Sequence, residues 1–376
     1  MDFSFDEVAQ ELADLTRQVL ATQLPDEAIS SAQYEADGYA PPAWQGLVEA
    51  GVLEAFLPLE ADGAQAGPTA MTAMLREVGQ RGAMVPALST LALGLVPLAA
   101  VAGEEHHSLL REIAAGEAWV TGAIREPGGR GVRDVQTIAR RDGDQYRLTG
   151  VKSFVPFGRD AGVVLVPARL ADGGVGLFLV PAAGAGITWA DHPTACHLPT
   201  ARLELDDVAV PANALLQAED PGQAAELFEL TALTGVAALA SGVLETAMKL
   251  TAEHVKNRRQ FGRALAEFQA VTMRISDVYV ANLALDNAVR ASGWLLAERG
   301  AQEARRTVTA ATYLVCQEAV PALFSCQHLH GGTGLDLDYP LHRYFTTGLY
   351  LDQLLGGTEA CLDAAPLPVA APVAVS

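Results

Sequence analysis

The feature that most constrains this chain is a change of hydrophobic period that happens twice. Apolar residues recur at helical spacing, then alternate as in strands, then return to helical spacing. The first zone, residues 1–118, reads as an α-helical domain. Ser4, with Glu7 three residues on, suggests a capping box. Phe5, Val8, Leu12, Leu15 and Val19 follow at helical spacing. Further helices are expected around Trp44–Val52, Met71–Val78 and Ser108–Ala114. The second zone, 119–218, carries strand-like runs at Tyr146–Leu148, Val163–Pro167 and Val175–Val180. Asp142-Gly143 and Asp172-Gly173-Gly174 supply turns between them. A compact antiparallel β domain, barrel or sandwich, is expected. The third zone, 219–363, is α-helical again, with long runs from Gln223 to Lys256 and from Phe268 to Arg299. A Pro/Ala/Val tail, 364–376, reads as frayed.

Composition limits what such a chain can do. With 376 residues, half of them apolar and 19% charged, there is enough apolar side chain for a large core. A formal net charge of -20 with no basic run excludes a nucleic-acid partner. The opening MDFSFDE has no leader pattern, which predicts a cytoplasmic protein. The apolar stretch Ala87–Gly103 contains Gly94 and Pro97 and reads as a buried helix followed by a break. Cys196, Cys316, Cys326 and Cys361 show no CxxC spacing and are expected as reduced thiols. None of the eight histidines forms an HExxH pattern, so no metal site is expected.

Two motifs carry chemistry. Arg258-Arg259-Gln260-Phe261-Gly262 precedes Phe268-Gln269-Ala270-Val271. Arginine offers planar donors to pyrophosphate oxygens, and phenylalanine offers a stacking face. A solvated helix end would contain the same residues. Some 70 residues later comes His328-Leu329-His330-Gly331-Gly332-Thr333-Gly334. Adjacent glycines let backbone N–H groups approach a phosphate or ribose closely, and they also end helices. His330 and His342 are given no proton-transfer role. Trp119, Trp189 and Trp294 read as core anchors.

In this order, around a central β zone, the motifs resemble the acyl-CoA dehydrogenases. The resemblance implies an α+β multi-domain fold: an N-terminal α-helical domain, a middle antiparallel β domain and a C-terminal four-helix-bundle domain. It implies FAD as cofactor, an acyl-CoA thioester as substrate and a dimer of dimers. Arg258, Gln260, Phe261, His328, Gly331, Gly332 and Thr358 map onto cofactor-binding positions, with Arg125 and Phe154 as weaker ones. His328 stands where the family has glutamine.

Other positions depart from the family. Its catalytic glutamate falls on Gly356 of Leu355-Gly356-Gly357-Thr358, and the alternative base position falls on Ala232, followed by Leu233 instead of arginine. No catalytic residue is therefore assigned. The nearest carboxylates in sequence are Glu229 and Glu359. The aromatic-x-x-Thr-Glu-Pro segment reads Gly122 to Pro127, with Arg125 at the threonine. The Gly-x-Gly-Ser-Asp segment that follows becomes Gly128 to Val132, so its serine is lost. Pro156 replaces a threonine that faces the flavin ring. Arg125 and Arg130 could hold CoA phosphates or fill the room of a missing flavin.

Segments that reach into a neighbour survive, and segments that serve the chain's own site do not. The expected function is the base-less subunit of an α2β2 acyl-CoA dehydrogenase, completing the FAD site of a homologous partner that carries the base. This oxidoreductase pattern resembles the heterotetrameric enzymes of actinobacterial steroid side-chain catabolism. Two alternatives remain: a self-sufficient enzyme with a relocated base at Glu359 or Glu245, or a family fold reused for binding.

Overall fold

The computed structural model describes residues 3–29, 38–128, 131–216 and 220–365. The first helix, α1 (Glu7–Gln23), is capped by Asp6, whose carboxylate accepts from the Ala9 N–H at 2.8 Å. The expected Ser4 cap is therefore displaced. A carboxylate directly ahead of the helix satisfies a first-turn N–H and suits the positive helix end. The buried face is Ala9, Leu12, Ala13, Thr16 and Leu20, so Val8 lies outside it, half exposed. Helices α2 (Pro41–Glu49) and α3 (Pro68–Arg81) follow.

The apolar stretch from 87 to 103 does not break where expected. It forms one helical rod, α4 (Leu88–Val101), that is a π-helix over Leu88–Leu95 and an α-helix over Val96–Val101. A π turn leaves the following turn without its usual donors, so Pro97, which has no N–H, begins that α turn without losing a bond. Gly94 lets Val120 of the first strand lie against the rod; a Cβ there would overlap the valine. Helix α5 (His107–Ala114) completes this layer.

The β zone forms one sheet from β1 (Val120–Gly122), β2 (Ile138–Asp142), β3 (Gln145–Pro156), β4 (Val163–Arg169), β5 (Val175–Pro181), β6 (Ile187–Asp191), β7 (Thr200–Pro211) and β8 (Leu215–Leu216). Its order is β6-β7-β3-β2-β4-β5-β8, with β1 added beside β4. The pairing is mainly antiparallel. The exceptions are β1 with β4, and a single parallel pair of β2 with β4. Register shifts interrupt the β3–β7 ladder between Leu148 and Gly150 and between Lys152 and Val155. The second places Phe154 at positive φ (54°) and re-aims its ring, and Phe157, in the turn after β3, also has positive φ (51°).

Beneath that bulge lies a closed ion pair. The Lys152 ammonium is fully buried and donates to Glu126 Oε1 at 2.6 Å and to the Pro167 carbonyl at 2.7 Å. Glu126 also accepts from Gln136 N–H and from the Thr137 N–H and hydroxyl. Burial pushes the Lys152 pKa down to about 8, against the pull of Glu126. Burial opposes charge on Glu126 too, but Lys152, Thr137 and the Gln136 N–H together hold its pKa below the ordinary value.

Helix α6 (Pro221–Asn257) is the axis of the C-terminal zone. Asp220 caps it, accepting from the Gly222 N–H at 2.8 Å. By length and hydropathy α6 could cross a membrane, but 89% of its most apolar window is buried inside the molecule, as in a core helix. Around it pack α7 (Gln269–Glu298), α8 (Ala301–Leu314), α9 (Val320–His330) and α10 (Leu341–Leu355), and α11 (Gly357–Ala364) lies against α8 and α10. A π turn, Val315–Ala319, joins α8 to α9 ahead of Pro321. α6 and α3 cross at Gly242 and Gly79. A Cβ on either glycine would overlap backbone of the facing helix.

Candidate functional site

Between α6 and α7 the chain makes a hairpin of two short strands, β9 (Arg259–Gln260) and β10 (Arg263–Ala264), paired antiparallel. Arg258 caps α6, its N–H bonded to the His254 carbonyl at 2.8 Å. The two-residue turn is Phe261-Gly262, with φ of 54° and 79°. Positive φ at both positions suits the twist of a tight hairpin, and only the second residue is glycine. Phe261 is 93% exposed, and Arg258, Arg259 and Gln260 are exposed with it. At the base, Arg263 lies over the Phe268 ring at 3.9 Å. The result is a projecting limb that offers arginines, an amide and an aromatic face to whatever lies beyond this chain.

The Gly-Gly segment ends α9 next to the base of this limb. His330 is buried and stacks on His254, ring centroids 4.2 Å apart. Its Nδ1 donates to the Cys326 carbonyl at 2.9 Å, since a carbonyl can only accept. Nε2, at 3.1 Å, accepts from the Tyr339 hydroxyl. His254 lies four residues before Arg258 and His330 one residue before Gly331, so the imidazole stack joins motifs some 70 residues apart. His328 is exposed on the same turn. Gly331 (φ 58°) and Gly332 are exposed, with open space where a Cβ would stand.

Burial, opposed by the Cys326 carbonyl and aided by His254, pushes the His330 pKa down to about 4. Its ordinary value is 6.5. Between these values the unfolded chain binds more protons, so stability falls as pH drops through this window and levels off below it. Thermal midpoints measured from pH 7 to 4 are expected to fall more steeply for the wild type than for His330→Gln. Parallel curves would refute a buried neutral imidazole.

A second cluster surrounds Gly356. This residue ends α10 with φ of 92°, in the left-handed region that favours glycine. Thr358, half-buried, follows in the first turn of α11. Arg125 leaves the sheet beside Ser153, whose N–H bonds the Arg125 carbonyl at 2.9 Å. Its guanidinium reaches Gly356, and a Cβ on Gly356 would overlap Nη1. Arg125 Nε and Nη1 are buried without a hydrogen-bond partner among the described residues. Burial lowers the Arg125 pKa, against Cys361, Cys316 and Asp352.

The remaining space here is a cavity of about 30 Å³, lined in part by Arg125, Glu229, Leu233, Thr312 and Cys361. That is room for about one water molecule. Ala232 is fully buried in α6. Glu229 is the acidic residue that lines the cavity, and it accepts from Arg305 at 2.9 Å. Arg305 also binds Glu226. Glu359 is exposed, and Glu245 is bound to Arg76 and Lys249, outside this cavity. Of the sequence candidates for a relocated base, neither Glu359 nor Glu245 lines this cavity; Glu229 does.

Phe154 does not line this cavity; its ring meets His192 at a tilt of 52°, ring centroids 4.1 Å apart. His192 borders a cleft of about 340 Å³ with Phe157, Gly158, Thr194 and Leu198. Arg130 lies outside the described residues. Three of the four tryptophans are half-buried anchors: Trp119 packs edge-on to Tyr39 and Phe157, Trp189 donates to the Ala182 carbonyl, and Trp294 packs on Phe3. No group of three or more metal-ligating side chains exists among the described residues.

Profiles described as "Acyl-CoA dehydrogenase, middle domain" and "Acyl-CoA dehydrogenase, C-terminal domain" match residues 123–208 and 228–363. The acyl-CoA dehydrogenase FadE28 of Mycobacterium tuberculosis is 34% identical over 325 residues, covering 85% of this chain and 90% of that protein. The chain belongs to the acyl-CoA dehydrogenase family. Among solved structures, a chain of the ChsE4-ChsE5 complex from Mycobacterium tuberculosis superposes with a TM-score of 0.86. It is 28% identical, over 96% of this chain and 97% of that one. The Tcur3481-Tcur3483 steroid ACAD gives a TM-score of 0.85 at 32% identity, with the same coverage.

Within an acyl-CoA dehydrogenase fold, the two clusters differ sharply. The limb and the Gly-Gly segment are adjacent, open and outward. The Gly356 cluster is closed by a side chain. Sequence reading marked both Arg125 and Gly356 as departures from the family pattern, but not that the guanidinium of one stands where a Cβ on the other would lie. It also missed the His254–His330 stack, although His254 stands one helical turn before Arg258, a visible hint.

Proposed function

We propose that this chain is the base-less subunit of a heteromeric FAD-dependent acyl-CoA dehydrogenase. The observation that carries the reading is the guanidinium of Arg125 standing where a side chain at Gly356 would begin. A carboxyl group cannot occupy that room, and neither can the flat face of a flavin ring. Pro156, which has no N–H and no hydroxyl, offers no donor at its own position either. The chain's own ring pocket does not fit the cofactor.

The limb does fit part of it. Arg258, Gln260 and Phe261, with the N–H groups at Gly331 and Gly332, suit a diphosphate and an aromatic base held mainly by a neighbour. Bound in the assembly, the cofactor would supply the hydride acceptor for the acyl thioester. This chain binds and orients; the partner removes the proton. An exposed apolar stripe supports the partner's docking: Met273, Tyr279, Val280 and Leu283 on α7, at spacings of three, four and seven. Phe324, Leu335 and Leu337 are exposed as well. The paired composition of the ChsE4-ChsE5 complex and the Tcur3481-Tcur3483 steroid ACAD supports an unlike partner and a steroid-bearing acyl-CoA.

Co-expression with a homologous subunit that has the glutamate tests this. One FAD per pair is expected, and none on this chain alone. A yellow homo-oligomer that turns over acyl-CoA would instead favour the self-sufficient enzyme. Glu229, the acidic residue at the cavity, would then be its base.

A further inference from the structure

The small cavity beside Gly356 holds chemistry that flavin binding does not use. Cys316, in the π turn between α8 and α9, and Cys361, in α11, are both buried, with sulfurs 3.8 Å apart. The two helices come from positions 45 residues apart in the chain. Cys361 lines the cavity together with Arg125 and Thr312. Arg125 brings there two buried N–H groups that lack a hydrogen-bond acceptor among the described residues. An unsatisfied guanidinium in a buried pocket favours an anion; the ionisable groups around it are the two thiols, Asp352, and Glu229, whose carboxylate is already paired with Arg305. At about 30 Å³ the cavity admits a molecule of the size of water or hydrogen peroxide and excludes an acyl chain.

We propose that Cys316 and Cys361 form an oxidisable dithiol, a modification site in which Cys361 reacts with hydrogen peroxide and Cys316 closes a disulfide. The Cys361 thiolate attacks one peroxide oxygen. The O–O bond breaks, the sulfur keeps one oxygen as sulfenic acid, and hydroxide leaves and takes up a proton. Cys316 then attacks the Cys361 sulfur. The S–O bond breaks, and the second oxygen leaves as water with the Cys316 proton. Two thiols and one peroxide become a disulfide and two waters; the sulfurs lose two electrons and the peroxide gains them.

Polarity within the pair fits this order. The Cys316 hydrogen bond, followed by Thr312 and Arg125, holds the Cys361 pKa below the ordinary thiol value, against burial. The Cys316 pKa is pushed far upward, first by its bond to Cys361 and then by burial. Closure needs the sulfurs to move from 3.8 Å to about 2.05 Å. The product would lock α11 to the α8–α9 rod. The inference is independent of the flavin and of any partner.

The test uses the whole chain treated with hydrogen peroxide, quenched with catalase and then denatured for thiol titration. The untreated protein should show four free cysteines. Treatment should leave two, with an intact mass lower by about two hydrogens and a cross-linked peptide joining Cys316 to Cys361. Cys316→Ser should instead stop at a sulfenic acid on Cys361 that dimedone traps. Arg125→Met, which keeps the volume, should slow the reaction about tenfold by removing the charge beside the thiolate. Retention of all four thiols, a disulfide involving Cys196 or Cys326, or a Cys361 that dimedone does not label in Cys316→Ser would each overturn the proposal.

Discussion

Glu126→Ala should destabilise the chain by about 3–5 kcal/mol, the usual range when one partner of a buried ion pair is removed. Lys152 is fully buried, and its main anionic partner is Glu126 at 2.6 Å. Without the carboxylate, the ammonium must lose its proton or draw water into the sheet. The Thr137 and Gln136 donors would lose their acceptor at the same time. Urea midpoints of the purified chain measure the effect. Glu126→Ala combined with Lys152→Met should recover much of the loss, because a buried pair replaced by apolar groups is often close to neutral. A single variant that unfolds within about 1 kcal/mol of wild type would mean that the pair is solvated, contrary to its burial.

The second large effect concerns the limb. Arg258→Ala with Phe261→Ala should leave the isolated chain folded, since these side chains are exposed, and should weaken FAD retention in the heteromer. Charge-assisted hydrogen bonds are each worth about 1.5–3 kcal/mol, so losing one such contact predicts a roughly 10- to 100-fold weaker cofactor. Stacking lost with Phe261 would add to this. Flavin release on dilution, followed by fluorescence, gives the number. Equal retention by wild type and double variant would show that the limb does not touch the partner's cofactor. The exposed stripe on α7 would then need another explanation.

Much of the fold was legible because periodicity reports burial directly. The long helix α6 and the strand runs of the β zone follow from spacing alone. What spacing could not show was how the backbone evades its own rules. Pro97 read as a break, yet it follows a π turn that removes the conflict, as Pro321 does after a second π turn. Ser4 read as a cap, but the helix begins at Glu7 and Asp6, directly ahead of it, takes the Ala9 N–H. Parallel pairing of β1 with β4 depends on long-range closure that no local pattern encodes.

The site was legible as a set of absences. Gly356 and Ala232 could be read as lacking a proton acceptor from one residue each. Contacts across the fold could not be read this way. Arg125 meets Gly356 across more than two hundred residues of chain. Glu229 reaches the cavity because it lies one helical turn before Ala232 on α6. Cys316 and Cys361 looked like isolated thiols, because their proximity depends on how α11 folds back.

Phe261 sets one last constraint. A non-glycine residue in the left-handed region carries a conformational cost of order 1–3 kcal/mol, and here an edge-on contact with Phe268, ring centroids 6.4 Å apart, leaves the ring 93% exposed and offsets little of it. The solitary subunit therefore bears a local penalty that a companion molecule covering the ring would relieve. Replacing that phenylalanine with glycine should yield a sturdier orphan and a poorer collaborator, so durability of the lone polypeptide and usefulness of the assembly are opposed at a single loop tip.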